Sequence, residues 1–239
     1  MKQKIKSFLR FSLIKTLGPN RITNWFMDLM PVDAKLKVLD EGFGHSRSKQ
    51  LLSSVDTDGK PLPWFTYGAI NYLDSLDLSE MTVLEWGSGN SSLYFASKAK
   101  KVISIENDIN WYNSVVTSGH NNNQVILCDD ADYAKTPLQF GRNFDLIIID
   151  GMDRFNCSLN VLDLLKDGGI VILDNSDWFK NTAAVLRDMS LIQVDFAGFG
   201  PINDYPWVTS LFLSRNCNLK TSKGYQPLNP PGGIQNVCD

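Results

Sequence analysis

The sequence has no apolar run long enough to cross a membrane. A spanning helix needs about 20 consecutive apolar residues, whereas the longest clean runs, such as residues 146–149, are only as long as a β-strand. A membrane-spanning protein is therefore excluded. The 239 residues, 43% of them hydrophobic and 21% charged, instead predict one globular domain with a full-sized core.

Histidine and cysteine are also scarce. The chain has two histidines and four cysteines, and no cysteines are arranged as a Cys-x-x-Cys pair. A metal framework built from histidine and cysteine is therefore not expected. Widely spaced cysteines are typical of reduced thiols in a cytoplasmic protein, with a bridge between Cys217 and Cys238 as the alternative.

The net charge is only −3, so the chain lacks the overall basic field that attracts nucleic acid, and no nucleic-acid partner is expected. Its basic residues nevertheless cluster at the start. Residues 1–21 contain six Lys or Arg and no acidic residue, with apolar residues between them at roughly amphipathic-helix spacing. These cations interrupt the apolar stretch, and no small-residue cleavage site follows, which disfavours a secretory signal. Either the helix packs on the domain, or it makes peripheral contact with a membrane or a partner.

From residue 81 onward, short β-rich runs alternate with helical stretches. The β-rich runs are residues 82–86, 101–106, 124–128, 145–150 and 169–174, and the helical stretches between them are residues 92–98, 109–117, 131–140 and 158–166. This alternation is typical of a parallel sheet with helices on both faces. A helix near 178–189 and an antiparallel hairpin of residues 191–196 and 207–214 are predicted to follow.

These patterns divide the chain into three segments. Residues 1–60 are predicted to form a helical leader that is basic at its start, and residues 61–215 to form the α/β domain. Residues 216–239 contain several Pro and Gly without any period, which predicts an extended tail.

A glycine-rich loop joins the first strand to its helix. Gly87 and Gly89 follow the strand directly, where glycine lets a ligand approach the backbone and the helix N-terminus offers free N–H groups. A turn needed only for packing is the alternative. Glu85, two residues before the first glycine, would repel the diphosphate of a dinucleotide but attract an ammonium group.

Further carboxylates follow the next two strands. Glu106 lies 19 positions after Gly87, where a carboxylate can accept hydrogen bonds from both hydroxyls of a ribose. Asp129 or Asp130 follows the third strand and can accept a hydrogen bond from an adenine amino group, although a solvated acidic turn is the alternative. Together these acids suit a ligand with an ammonium, a ribose and an adenine but no phosphate. S-adenosylmethionine has all three groups.

Residues 85–91, Glu-Trp-Gly-Ser-Gly-Asn-Ser, resemble motif I of the class I S-adenosylmethionine-dependent methyltransferases, with Ser91 where that family usually has a third glycine. The resemblance covers residues 63–214. It implies a Rossmann-like, mostly parallel seven-stranded sheet in the order 3-2-1-4-5-7-6, with helices on both faces and an N-terminal helical extension.

The same resemblance implies that residues 61–215 bind S-adenosylmethionine. The cofactor-binding residues it implies are Tyr67, Glu85, Gly87, Ser88, Gly89, Ser91, Glu106, Asn107, Asp130, Ala131 and Asp150. Tyr67 would cover the methyl donor. A buried aromatic residue at the start of a helix is the alternative for this position.

Polar residues also follow the fourth and fifth strands. Asp150, Asp174 and Asn175 resemble the metal ligands of catechol-type O-methyltransferases, which implies a Mg²⁺ site. That subfamily has a lysine shortly after the first aspartate, where this chain has Asp153 and Arg154. The alternative is that Asp150 is a general base or substrate anchor, while Asp174 and Asn175 cap the next helix.

His45 is the second candidate catalytic residue. It lies in the leader, which must fold over the site for His45 to contact a substrate; a surface histidine is the alternative. The sequence therefore predicts a cytoplasmic S-adenosylmethionine-dependent methyltransferase that acts at oxygen on a small-molecule or glycan-like acceptor. Its candidate catalytic residues are Asp150 and His45.

Three other functions remain open from the sequence. A NAD-dependent oxidoreductase is disfavoured by Glu85 and by the missing third glycine. An aminopropyl transferase would use a decarboxylated donor and would need additional acids around its amine. A catalytically silent module would bind S-adenosylmethionine and dock on a membrane or a partner through the basic N-terminus.

Overall fold

The computed structural model describes residues 36–118 and 120–233. The basic N-terminal segment, and with it the predicted membrane or partner contact, lies outside the described residues, as does Cys238. In the part of the chain that is described, no helix is long and apolar enough to cross a bilayer.

Seven strands form one sheet in the order β3-β2-β1-β4-β5-β7-β6. The strands are β1 Thr82–Trp86, β2 Lys101–Glu106, β3 Asn123–Leu127, β4 Phe144–Ile149, β5 Leu165–Leu173, β6 Ile192–Gly198 and β7 Trp207–Leu213. Strands β1 to β5 run parallel, whereas β7 is antiparallel to both β5 and β6. The predicted strand order and the terminal hairpin are both confirmed.

Short helices connect the strands. They are α1 His45–Leu51, α2 Tyr67–Asp74, α3 Asn90–Ala96, α4 Ile109–Thr117, α5 Arg154–Leu159, α6 Val161–Leu164 and α7 Lys180–Asp188, with a π-helical turn at Val38–Gly42 and a 3₁₀ helix at Thr136–Phe140. The start of α4 is fixed locally. There, the Asp108 side chain accepts hydrogen bonds from the backbone N–H groups of Asn110 and Trp111 at 2.7 and 3.2 Å.

The sheet separates two apolar clusters, and β4 contributes to both. Leu146 and Ile148 pack in one cluster, and Ile147 and Ile149 pack in the other. Burial from both faces explains why β4 is almost uniformly apolar, as expected for a central strand of a parallel sheet. The strand ends that carry the polar residues are therefore held by a rigid core.

The helix predicted at residues 131–140 is wrong in its first half, where only turns precede the 3₁₀ helix. The reason is chemical. A helix would pair the Tyr133 carbonyl with the N–H group of residue 137, but Pro137 has none. The indole of Trp86 donates to that carbonyl instead, at 3.2 Å.

The leader and the tail both contact the domain. The Asn90 side-chain amide, at the start of α3, donates to Ser53 Oγ at 2.9 Å and to the Ser54 carbonyl at 2.7 Å. In the tail, the N–H group of Ser222 donates to the Ser75 carbonyl at 2.8 Å. The leader thus lies against the glycine-rich loop, and the tail lies against the end of α2.

Candidate active site

The carboxyl ends of the parallel strands meet at one edge of the sheet. The register places Trp86 of β1 beside Ile105 of β2 and Ile149 of β4, and Ile149 beside Leu173 of β5. The polar residues that follow these positions are therefore brought together, as in other doubly wound sheets. Two cavities open at this edge, of about 290 Å³ and about 280 Å³.

The first cavity, the larger of the two, follows the glycine-rich loop. Gly87 has φ +107°, and a Cβ atom there would lie 3.2 Å from the backbone of Gly151. Only glycine combines this backbone conformation with such a close approach. The loop after β1 and the turn after β4 can therefore form one continuous wall of the cavity, which both residues line.

Glu85 lies in this wall and is almost fully buried. Its carboxyl group accepts hydrogen bonds from the hydroxyls of Ser91 and Ser92, and from Ser104 Oγ at 3.2 Å. Burial raises the pKa of Glu85 to about 7, and the hydrogen bonds from the serines oppose that rise. Ser91, the departure from the family pattern, thus helps to keep a buried acid ionisable.

Replacing Glu85 with Gln is expected to stabilise the ligand-free protein above neutral pH. The folded-state pKa of Glu85 is raised, so its ionisation lowers stability as pH rises from about 4.5 to about 7, and an amide does not ionise. The gain at pH 8 is at most about 3 kcal/mol. Melting curves at pH 5 and pH 8 measure it: the Tm advantage of Glu85→Gln should be larger at pH 8, and equal differences at both pH values would contradict it.

Glu106 ends β2 and also lines the first cavity. Its Oε1 accepts hydrogen bonds from the backbone N–H groups of Asn107 and Asp108 at 2.8 and 2.9 Å, and its Oε2 accepts one from Ser88 Oγ at 2.8 Å. The two backbone groups fix the orientation of the carboxylate. Ser88 is a side-chain donor that can rotate away, so Oε2 is the oxygen that can accept a hydrogen bond from a ligand hydroxyl.

The predicted adenine-side residues lie farther out. Asn107 Nδ2 donates to Asp130 Oδ1 at 2.9 Å and lies 3.5 Å from the sulfur of Met152. Asp130 and Ala131 are exposed, and neither they nor Asn107 line the first cavity. The structure thus brings Asn107 and Asp130 together outside the lining of the first cavity, and their predicted role in cofactor binding stays a prediction.

Asp150 follows β4 and lines both cavities. Arg154, the first residue of α5, donates to Asp150 Oδ1 at 3.0 Å and to four further acceptors. These are the carbonyls of Gly151, Asp150 and Asp174 and Oδ1 of Asn175, at 3.1, 2.9, 2.5 and 3.1 Å. Burial raises the pKa of Asp150 to about 6, and the guanidinium opposes the rise, so Asp150 is ionised at pH 7.

Asp174 is buried at the end of β5 and behaves differently. Its Oδ1 accepts hydrogen bonds from Trp207 Nε1 at 3.0 Å and Thr209 Oγ1 at 2.5 Å. Burial, and the nearby negative charge of Asp150, raise the pKa of Asp174 well above its usual value. Burial and the neighbouring charge thus disfavour ionisation of Asp174, whereas the Arg154 guanidinium favours ionisation of Asp150.

The residues do not fit the Mg²⁺ site predicted at Asp150, Asp174 and Asn175. Arg154 already holds Asp150 Oδ1 and Asn175 Oδ1, and its fixed positive charge would repel a divalent ion placed between them. Across residues 36–118 and 120–233, no group of three or more His, Cys, Asp or Glu side chains is arranged to hold a metal. The alternative, in which Asp174 and Asn175 cap the next helix, is also wrong, because α7 has Phe179 at its N-cap and no side-chain cap.

His45 and Tyr67 pack against each other, and neither lines either cavity. His45 Nδ1 lies 3.2 Å from the Tyr67 hydroxyl, and the Tyr67 ring stacks on Phe43 with ring centroids 4.3 Å apart. Both residues are buried. This geometry does not supply the substrate contact predicted for His45 or the donor cover predicted for Tyr67. It matches the alternative for Tyr67, a buried aromatic residue at the start of a helix.

The sequence argument missed the aromatic residues of the site. Trp111 lines the first cavity, Trp64 lines both, and the second cavity is lined mainly by the residues Trp64, Asp150, Arg154, Asp174, Asn175, Trp178, Asn203, Tyr205 and Trp207. For Trp64 and Trp178, the available signal was tryptophan in loops beside the strands, where a core residue is not expected. The pattern alone did not indicate that these loops meet.

No known family model matches the chain, and no curated protein matches it. A precorrin-6y C5,15-methyltransferase from Geobacter metallireducens aligns with 61% of this chain and 85% of its own, at 12% identity and a TM-score of 0.50. Aeropyrum pernix fibrillarin with bound S-adenosyl-L-methionine aligns over 62% and 76%, at 16% identity and a TM-score of 0.48. Spermidine synthase from Thermotoga maritima aligns over 64% and 57%, at 15% identity and a TM-score of 0.47. The first similarity establishes the fold.

Proposed function

We propose that this chain, which has the fold of the class I S-adenosylmethionine-dependent methyltransferases, transfers a methyl group from S-adenosylmethionine to a hydroxyl of a small-molecule or glycan-like acceptor. One observation carries the proposal. Among its described lining residues, the first cavity has three carboxyl groups, Glu85, Glu106 and Asp150, and no Lys or Arg. The Geobacter protein whose fold the chain shares is itself a methyltransferase.

The charge of the first cavity selects among nucleotide ligands. A diphosphate would lie close to Glu85 and Glu106 without a basic side chain to balance it, which opposes NAD. S-adenosylmethionine has no phosphate and carries an ammonium and a sulfonium. Glu85 suits the ammonium, and Glu106 Oε2 suits the ribose hydroxyls.

Asp150 is the residue that can accept the acceptor's proton. Its Oδ1 is held by Arg154, and Oδ2 makes no hydrogen bond to the described residues, so Oδ2 is the available base. When bound, S-adenosylmethionine supplies a methyl group on a positively charged sulfur. The acceptor oxygen bonds to the methyl carbon as the carbon–sulfur bond breaks. The electron pair of that bond stays on sulfur, and the hydroxyl proton passes to Asp150.

Calorimetry with S-adenosylhomocysteine and with NAD tests the proposed donor. We expect S-adenosylhomocysteine to bind at least about tenfold more tightly than NAD. The contact between the NAD diphosphate and the cavity carboxylates should weaken the binding free energy of NAD by about 1.4 kcal/mol or more. Tighter binding of NAD would overturn the proposal.

Formation of S-adenosylhomocysteine from S-adenosylmethionine with a panel of hydroxylated acceptors tests turnover. Binding without turnover on any acceptor would favour the silent module, and turnover only with the decarboxylated donor would favour the aminopropyl transferase.

Activity is expected to be unaffected by EDTA. Arg154 supplies the positive charge beside Asp150 and Asn175 that a divalent ion would otherwise supply. The measurement is the initial rate in excess EDTA and again after adding Mg²⁺, with an O-methyltransferase of known Mg²⁺ dependence as the control. Loss of the rate in EDTA and its recovery with Mg²⁺ would contradict the assignment of Arg154.

A further inference from the structure

The second cavity adjoins the first and has no ligand assigned to it. Trp64 and Asp150 line both cavities, so a molecule in the second cavity lies beside the proposed base. Its volume of about 280 Å³ is just below the range for small-molecule sites, roughly 300 to 1,000 Å³. The second cavity therefore suits a compact group, on the order of a single ring.

The walls of the second cavity are largely aromatic, and three of its rings are unusually accessible. Trp178, Tyr205 and Trp64 are 58%, 48% and 41% exposed, although large aromatic side chains gain most from burial. The centroid of the Tyr205 ring lies 6.3 Å from that of Trp178 and 6.2 Å from that of Trp207. These neighbouring rings form an apolar surface that remains partly exposed to solvent.

The ionisable groups of the second cavity already have partners. The guanidinium of Arg154 is paired with Asp150. The buried carboxyl group of Asp174 accepts hydrogen bonds from Trp207 Nε1 and Thr209 Oγ1. Among the described lining residues, no unpaired cation is present to bind a phosphate and no unpaired carboxylate to bind an ammonium. The side-chain amides of Asn175 and Asn203 add neutral donors and acceptors.

We infer that the second cavity binds one pyranose ring of a carbohydrate acceptor and that Trp178 and Tyr205 contact its apolar face. The inference rests on the proposed methyl transfer and names the acceptor class for the same site. One face of a pyranose presents C–H groups, which can pack against the aromatic wall. Its hydroxyls can form hydrogen bonds with the amide and carboxyl groups of the cavity. A flat phenol would occupy the aromatic wall but offer only one or two hydroxyls to the Asn175 and Asn203 amides, whereas a pyranose offers several around its ring.

Saturation-transfer NMR tests the inference on protein loaded with S-adenosylhomocysteine and on ligand-free protein. The probes are the methyl glycosides of glucose, mannose and galactose, with catechol and tyramine as comparison ligands. A methyl disaccharide and UDP-glucose show whether the ring is recognised at the end of a glycan or attached to a nucleotide. We expect at least one pyranoside to bind more tightly than catechol and tyramine.

Trp178→Ala and Tyr205→Ala are each expected to weaken that pyranoside at least about tenfold. Both residues line only the second cavity, so S-adenosylhomocysteine affinity should stay unchanged. Tyr225→Ala is the matched control, because Tyr225 is 60% exposed and lines neither cavity. It should bind both ligands like the unsubstituted protein.

The outcomes separate this inference from the proposed donor. If S-adenosylhomocysteine binds and no pyranoside does, or if catechol or tyramine binds more tightly than every pyranoside, the inference is overturned and the methyl donor stands. The inference would also be overturned if both aromatic variants bound the pyranoside with an affinity within about twofold of that of the unsubstituted protein. If S-adenosylhomocysteine fails to bind while a pyranoside binds the ligand-free protein and is lost in Trp178→Ala, the carbohydrate site stands and the methyl donor does not.

Discussion

Replacing Asp150 with Asn is expected to lower kcat by about 10²- to 10⁴-fold, the range that a positioned general base contributes. The amide keeps the size of the side chain and a hydrogen-bond acceptor near Arg154, but it cannot take the acceptor's proton. The measurement is the rate of S-adenosylhomocysteine formation at saturating donor and acceptor. Because Asp150 also lines the first cavity, calorimetry with S-adenosylhomocysteine on the variant shows whether donor binding is intact.

The pH dependence separates a base from a structural role. The raised pKa of Asp150, about 6, means that the base is ionised above this pH and protonated below it. The rate at saturating substrates should therefore fall as pH drops through about 6, and the rate of Asp150→Asn should not show this fall. Arg154→Lys keeps the positive charge but loses the several hydrogen bonds of the guanidinium, so the fall in rate should move to higher pH. An Asp150→Asn enzyme with an unchanged kcat would contradict the base assignment.

Replacing Glu106 with Ala is expected to weaken S-adenosylhomocysteine binding by about 1.5 to 3 kcal/mol, or roughly 10- to 150-fold in Kd. The carboxylate is fixed by two backbone N–H groups, and its Oε2 is bonded only to the Ser88 hydroxyl among the described groups. Loss of the side chain removes charge-assisted hydrogen bonds to the ribose. Isothermal titration of both proteins measures the change directly.

Glu80→Ala is the control for that experiment. Glu80 is an exposed glutamate that pairs with Lys100 at 3.6 Å and lines neither cavity, so its loss should leave Kd unchanged. Glu85→Lys, which adds a like charge beside the donor's ammonium, should weaken binding more than Glu106→Ala does. If Glu106→Ala binds within about twofold of the unsubstituted protein while remaining folded, the ribose assignment is wrong.

Arg154 explains why the chain departs from the metal-binding pattern it otherwise resembles. One side chain makes five hydrogen bonds to the turns after β4 and β5. A guanidinium satisfies several acceptors at once in a fixed plane, which a lysine ammonium at the same place would not do. The same residue therefore orders the site and keeps Asp150 ionised near neutral pH.

Ser91 shows how a departure from a motif acquires a structural role. Its hydroxyl donates to the carboxyl group of Glu85, six residues earlier in the chain, and Ser92 and Ser104 add further donors. Glycine at position 91 would leave the buried acid with fewer hydrogen bonds and a still higher pKa. The serine thus favours the ionised form of Glu85, which suits the ammonium of the proposed donor.

The sequence by itself determined the strands of the sheet and the edge that carries the candidate site. The alternation of apolar runs with helices predicts parallel β1 to β5, and parallel strands necessarily end at one edge. The strand order 3-2-1-4-5-7-6, which the family resemblance implies and the structure confirms, places β2 and β4 on either side of β1, so Gly87, Glu85, Glu106 and Asp150 meet there. The strands themselves are predicted from local periodicity, which a single chain shows directly, whereas their order is not.

Only the tertiary structure decided which side chains in the loops face one another. Trp64, Trp178 and Tyr205 come from three separate loops, yet they line one cavity. His45 and Tyr67 pair with each other instead of lining it, and Arg154 takes the place predicted for a metal. Loop conformations follow no period, and side-chain direction within them depends on packing against distant residues. The residues that line the second cavity could therefore not be deduced from residue spacing.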